Sequence, residues 1–184
     1  MANVLVLIAD GSEEMEAVIV IDVLRRAGFE VTVAATGTTT RIEASRGILL
    51  TADKLLADIQ WSESFDLLVL PGGKGGAETF THDSTVQQLI RAFDQDGKWI
   101  AAICAAPMAL DAAGILRGRK YTCYPGVEQA LSSGQHTPDT VVQDENLITS
   151  RGPGTTFAFA LHLVALLENK KTADTLRRQL LLDA

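Results

Sequence analysis

A chain of 184 residues, 47% apolar and 21% charged, is not disordered, and a core of that size buries roughly 70% of the unfolded chain's surface without a metal or disulfide staple. With 16 Lys+Arg against 23 Asp+Glu the formal net charge is −7, which argues against a nucleic-acid binder and against adsorption on anionic membranes. One domain covering residues 1–184 is expected. Residues 4–8 are a continuous apolar run, the pattern of a strand buried on both faces. Ser12 then offers a helix cap, and Glu13 and Glu14 favour the positive end of that helix. Val18, Ile21, Val23 and Leu24 give the helix its apolar positions, and Gly28 stops it. Residues 30–35 read as a second strand and complete a βαβ unit. The Thr-rich segment 36–44 reads as a hairpin-like excursion, with a short strand at 48–50. Residues 67–70 form a core strand ending at Pro71-Gly72-Gly73, and 84–93 an amphipathic helix. The strand 99–103 gives way at Cys104 to a helix over 105–113. Short strands at 122–124, 141–142 and 147–149 precede closing helices at 157–167 and 172–182. This alternation predicts an α/β fold with a mainly parallel sheet covered on both faces.

Two cysteines allow at most one internal disulfide, and a chain of this length does not need one, so reduced thiols in a cytoplasmic setting are expected. The start of the chain has no basic leader, and its apolar run is too short for a signal peptide. No stretch approaches the ~20 apolar residues of a membrane span.

The most informative stretch is Ala101-Ala102-Ile103-Cys104-Ala105-Ala106-Pro107. A strand ends, a polarizable nucleophile follows and a helix begins, with small residues on either side. Hydrolases build a nucleophile elbow this way, because the tight turn crowds its neighbours. The thiol would stand at a helix N-terminus and at the carboxyl end of a strand, where α/β sheets place ligands. A cysteine in an apolar run ordinarily packs as a small hydrophobe; the elbow favours a reactive thiol at Cys104.

Pro71-Gly72-Gly73-Lys74-Gly75-Gly76 also follows a core strand, but Gly75 stands where a phosphate loop needs Ser or Thr, and the dinucleotide spacing fails at Glu78. It reads either as a plain glycine turn with positive φ or as the source of a Gly73 N–H facing the elbow as an oxyanion donor. Among the carboxylates of Gly11-Ser12-Glu13-Glu14-Met15-Glu16, Glu16 stands out, because its helix begins on the same side of the sheet as Cys104. His82, His136 and His162 do not adjoin Cys104, and no His-x3-His or Cys-x2-Cys spacing exists, so no metal site is expected. Cys123 reads as a packing residue, and His136 as part of a polar surface loop.

Four motifs then carry a resemblance: Gly11-Ser12-Glu13-Glu14-Met15-Glu16, Leu70-Pro71-Gly72-Gly73, Ala102-Ile103-Cys104-Ala105-Ala106-Pro107, and Thr149-Ser150-Arg151-Gly152-Pro153-Gly154-Thr155. In this order, over almost the whole chain, they resemble the ThiJ/PfpI superfamily, and within it the parkinsonism-associated deglycase branch with its YajL-like bacterial members. The resemblance implies a flavodoxin-like three-layer sandwich of the class I glutamine amidotransferase type, and a homodimer. It implies that Cys104 is the reactive cysteine, Glu16 the carboxyl beside it, and Gly73 and Ala105 the oxyanion donors. Arg46 and Arg26 match positions near the dimer interface and pocket, and Arg151 and Pro153 match a segment packed close to the site. Tyr124 replaces the histidine that some relatives place before the Pro125 position, and Ala105 replaces the histidine of protease-like relatives. Both departures weaken a Cys-His protease reading, since such a nucleophile needs an imidazole base.

The resemblance implies a thiolate held by a protonated Glu16, with the Glu pKa raised by desolvation and the Cys pKa lowered by the hydrogen bond and the helix end. Two functions use this pair. One is cofactor-free chemistry on reactive aldehydes, or on glycated proteins and nucleotides, as a glyoxalase or deglycase. The other is a redox-sensing chaperone that meets unfolded proteins and works through oxidation of Cys104.

Overall fold

The computed structural model describes residues 1–60 and 64–182. Strands β1 (Asn3–Ile8) and β2 (Glu30–Ala35) pair in parallel around helix α1 (Glu14–Arg26). A hairpin of β3 (Arg41–Glu43) and β4 (Leu49–Thr51) follows, then the two-residue edge strand β5 (Lys54–Leu55). Next come β6 (Leu67–Leu70), α2 (Lys74–His82), α3 (Ser84–Gln95) and β7 (Trp99–Ile103). The chain continues through α4 (Pro107–Ala112), β8 (Lys120–Tyr121) and β9 (Gln135–His136). It closes with β10 (Val141–Asp144), β11 (Leu147–Ser150), α5 (Thr156–Leu167) and α6 (Lys170–Gln179).

The main sheet has the order β10-β11-β7-β6-β1-β2-β5, parallel except for the β10–β11 pair. Alternation along β1 builds the three layers. Leu5 and Leu7 pack with Phe80, Ile90 and Leu110 of α2, α3 and α4. Val4 and Val6 face the other way, with Val20 and Leu24 of α1 and Phe159 of α5. This is the expected α/β sandwich with a mainly parallel sheet. The strand order reverses on the two sides of β1, so the carboxyl ends of β1 and β6 flank a crevice, the usual ligand position in such sheets. Among the described residues, no helix is long and apolar enough to cross a membrane.

Several expectations shift. The helix after Cys104 starts only at Pro107, because residues 104–106 form the turn itself. The cap of α1 is Glu13, whose carboxylate accepts the Glu16 N–H at 2.9 Å; Ser12 Oγ instead accepts the Ala9 N–H at 3.0 Å. The glycine-rich segment after β6 does turn at Gly73 (φ +83°), but residues 74–82 then form α2. Residues 122–124 are not a strand; the pairing sits earlier, between β8 and β9.

Candidate active site

Cys104 ends β7 with φ +65°, in the left-handed region that costs a non-glycine residue about 1–2 kcal/mol. Its backbone is held there from both sides. Its N–H donates to Ser150 O at 3.0 Å, and its carbonyl accepts the Tyr124 N–H at 2.9 Å. The turn presents the thiol at the carboxyl edge of the sheet, with only 8% of the residue exposed.

Glu16 reaches the same place from the first turn of α1 and is fully buried. Two bonds clamp α1 to the loop after β6: the Glu13 N–H donates to Gly72 O at 2.9 Å, and the Gly72 N–H donates to Glu16 Oε2 at 2.7 Å. Glu16 Oε1 has no aligned hydrogen-bond partner among the described residues. Burial raises the Glu16 carboxyl to about 7, against the Gly72 N–H and the Cys104 thiol, which favour its ionised form; the nearby Glu13 charge adds to the rise. Burial and the negative charge of Glu16 push the Cys104 thiol up to about 12, while N–H groups of Gly73 and Ala105 pull it down. The expected lowering of the Cys104 pKa is therefore not found: burial, the larger cause, opposes the thiolate, and the charge of an ionised Glu16 adds to it. One dry site disfavours two negative charges, so the two groups compete for a proton. When Glu16 holds it, the charge opposing the thiolate is gone, and the two N–H donors work against burial alone.

The structure thus brings Cys104, Glu16, Gly73 and Ala105 together. Tyr124 joins them: its ring lies 3.1 Å from where a side chain on Gly152 would begin, and that point is 4.0 Å from Glu16 Oε1. Arg151 and Pro153 flank Gly152 in the same segment; the Arg151 N–H donates to Thr155 Oγ1 at 3.2 Å, and Pro153 opens a single 3-10 turn. Arg46 sits on the β3–β4 hairpin, where its N–H donates to Glu14 Oε1 at 2.9 Å and Ser45 Oγ donates to Glu14 Oε2 at 2.7 Å. Burial would raise the Glu14 carboxyl, but these bonds and the Arg46 charge hold it below the ordinary value. Arg26 lies apart. It closes the far end of α1, about 15 Å from Glu16 at the helical rise, and pairs with Asp22 at 2.6 Å.

Gly72 is the site residue whose role the residue pattern alone does not reveal. A Cβ there would meet Cys104 Cβ at 2.5 Å and Glu16 Oε2 at 2.8 Å, so only glycine lets the loop pass between the pair. The histidines stay away from the thiol. His82 bonds the Glu78 carbonyl, His162 bonds Gln143, and His136 converges instead with Cys123 and Glu128.

A model of the DJ-1/PfpI family matches residues 2–166. Protein dj-1beta of Drosophila melanogaster is 42% identical over 181 residues, covering 97% of this chain and 96% of that protein. Protein DJ-1 homolog B of Arabidopsis thaliana is 46% identical over 163 residues, 88% of this chain, which spans only 37% of that longer relative. A Caenorhabditis elegans relative named glutathione-independent glyoxalase DJR-1.2 is 33% identical over 175 residues, 94% of this chain and 92% of its own length. Among solved structures, Drosophila melanogaster DJ-1beta superposes with a TM-score of 0.94 at 42% identity, covering 98% of this chain and 97% of that one. Toxoplasma gondii DJ-1, described as oxidized, does so with a TM-score of 0.94 at 38% identity, covering 98% of both chains.

Proposed function

Because the chain belongs to the DJ-1/PfpI family, we propose that it is a cysteine-dependent stress-response protein acting on reactive aldehydes such as methylglyoxal, or on their adducts with proteins and nucleotides. In this reading it is a glutathione-independent glyoxalase or deglycase, cytoplasmic and homodimeric, and it needs no metal or organic cofactor. The observation that carries the reading is the strained Cys104 turn, with a buried Glu16 of raised pKa beside it and the Gly73 and Ala105 N–H groups acting on the thiol. The C. elegans relative named as a glyoxalase supports the choice of substrate.

The chemistry follows from those positions. The Cys104 thiolate forms a C–S bond to the aldehyde carbon, and the carbonyl oxygen gains negative charge near the two N–H donors. Protonated Glu16 gives its proton to that oxygen; its carboxylate then takes the proton from the aldehyde carbon and delivers it to the neighbouring ketone carbon, while the O–H proton passes from the first oxygen to the second. The first carbon becomes a thioester as the second becomes an alcohol, so oxidation and reduction balance within the substrate. Water cleaves the thioester, lactate leaves and the thiol is restored.

A second reading uses the same residues. Peroxide oxidises Cys104 to sulfenic and then sulfinic acid, the sulfinate is held by Glu16 and the two N–H donors, and the oxidised form acts as a chaperone for unfolded proteins. The Toxoplasma gondii relative described as oxidized favours it.

The homodimer is supported by an apolar surface on the outer side of α1. Met15 and Val18, a helical turn apart, are 53% and 48% exposed, and Ile48 and Leu49 of the neighbouring hairpin are 53% and 52% exposed.

Progress curves with methylglyoxal, without glutathione, test the enzyme. Cys104→Ser should abolish consumption, and Glu16→Gln should slow it by about 10²–10⁴-fold, both with the fold intact. Undiminished turnover in Cys104→Ser would sink the enzymatic reading. If oxidation is the selected chemistry, mild peroxide adds two oxygens at Cys104 alone.

A further inference from the structure

Cys123, Glu128 and His136 come from three separate pieces of chain. Cys123 follows β8, Glu128 lies in the 3-10 turn Val127–Ala130, and His136 ends β9. The β8–β9 register sets His136 opposite Tyr121, with the two rings 5.6 Å apart between centroids. One ligand-capable atom from each of Cys123, Glu128 and His136 lies within 4.8 Å of the other two, and Cys123 Sγ is 3.8 Å from Glu128 Oε2. A tetrahedral zinc ion, with sulfur at ~2.3 Å and oxygen at ~2.1 Å, separates those two ligands by ~3.6 Å.

The surroundings suit a cation. The Gly126 N–H donates to Glu128 Oε2 at 2.7 Å and fixes the carboxylate, as outer-shell donors do around metals. Cys123 is buried, Glu128 half-buried and His136 exposed, so the cluster opens to solvent on the histidine side. One sulfur, one nitrogen and one oxygen ligand do not suit calcium or magnesium, which take oxygen, but match a borderline-soft divalent ion.

We propose that Cys123, Glu128 and His136 form a binding site for Zn²⁺, with the fourth position open to water. On binding, the Cys123 S–H bond breaks, its proton passes to solvent and an S–Zn bond forms. Thiolate and carboxylate together then neutralise the ion. The site adjoins the reactive thiol through the chain: Tyr124, next to Cys123, donates its N–H to the Cys104 carbonyl. An ion at Cys123 anchors the segment that helps to hold the strained turn.

The test uses the full chain carrying Cys104→Ser, which leaves Cys123 as its one thiol. It is titrated with zinc chloride by calorimetry, and with Co²⁺ by absorbance. The expected result is one zinc per chain, a rise in Tm with zinc, and a thiolate-to-cobalt charge-transfer band. His136→Gln changes an exposed residue and should leave the zinc-free Tm unchanged while weakening zinc at least about 10-fold and removing the zinc-dependent Tm rise. Adding Cys123→Ser should remove the charge-transfer band. Zinc affinity within about twofold of the parent in His136→Gln, or no binding at about 100 μM zinc, overturns the proposal. The readout is independent of aldehyde turnover.

Discussion

The Gly72 N–H donates to Glu16 Oε2 at 2.7 Å, and a Cβ on Gly72 would stand 2.8 Å from that same oxygen. The contact that holds the carboxyl therefore also forbids a side chain on its donor. Gly72→Ala must move Glu16, Cys104 or the loop, and overpacking of this kind costs about 1–3 kcal/mol. The expected result is a fall in Tm of roughly 2–12 °C, with loss of methylglyoxal consumption. Thermal unfolding and progress curves check this; a variant with native Tm and native turnover would show that the loop yields freely.

The raised pKa of Glu16 ties stability to pH. Its folded value is about 7 against an ordinary 4.5, so between these values the folded chain binds more protons than the unfolded one. The contribution is fully present below pH 4.5 and is lost as pH rises through 7. A shift of this size corresponds to ~3 kcal/mol. Glu16→Gln lacks this dependence and should gain on the parent by about that amount across the window. Urea unfolding at several pH values measures it; parallel stability curves for the two proteins would contradict the assignment.

The core was legible in the sequence where burial on both faces left an unbroken apolar run. Residues 67–70 and 99–103 match their strands residue for residue. Strand β5 escaped because two residues carry no period. Helix α2 was hidden by Gly75 and Gly76, which count against a helix by propensity. They are there for packing: a Cβ on Gly76 would meet Ser12 Oγ at 2.5 Å, and one on Gly75 would meet Gly11 Cα at 3.1 Å. In the site, Cys104 announced itself by its small neighbours, and Glu16 by the end of the sheet from which its helix starts. The meeting of Cys123 with His136 could not be read, because the intervening residues carry no regular spacing and only the fold brings the two together.

The apolar surface on α1 leads to a third expectation. The Ser45 N–H donates to Ser12 O at 2.8 Å, tying the hairpin that carries Ile48 and Leu49 to the start of α1. Val18 also borders a groove of about 300 Å³ with Ile21, Asp22 and Leu50. If a second copy covers this surface with the same surface of its own, Val18→Glu places two charges in an apolar contact. Sedimentation at micromolar concentration should find the parent dimeric and Val18→Glu shifted towards monomer. A monomeric parent, or an undisturbed dimer in the variant, would rule this surface out.

The unusual dihedral angle at Cys104 has a consequence for how the sulfur meets its target. The bonds to Ser150 and from Tyr124 fix the turn during folding, before any aldehyde or oxidant arrives. In the proposed reaction the nucleophile does not have to be gathered into place by the molecule it attacks, so its orientation is not subtracted from binding affinity. A small substrate with few groups to grip is the kind that gains most from a sulfur aimed in advance.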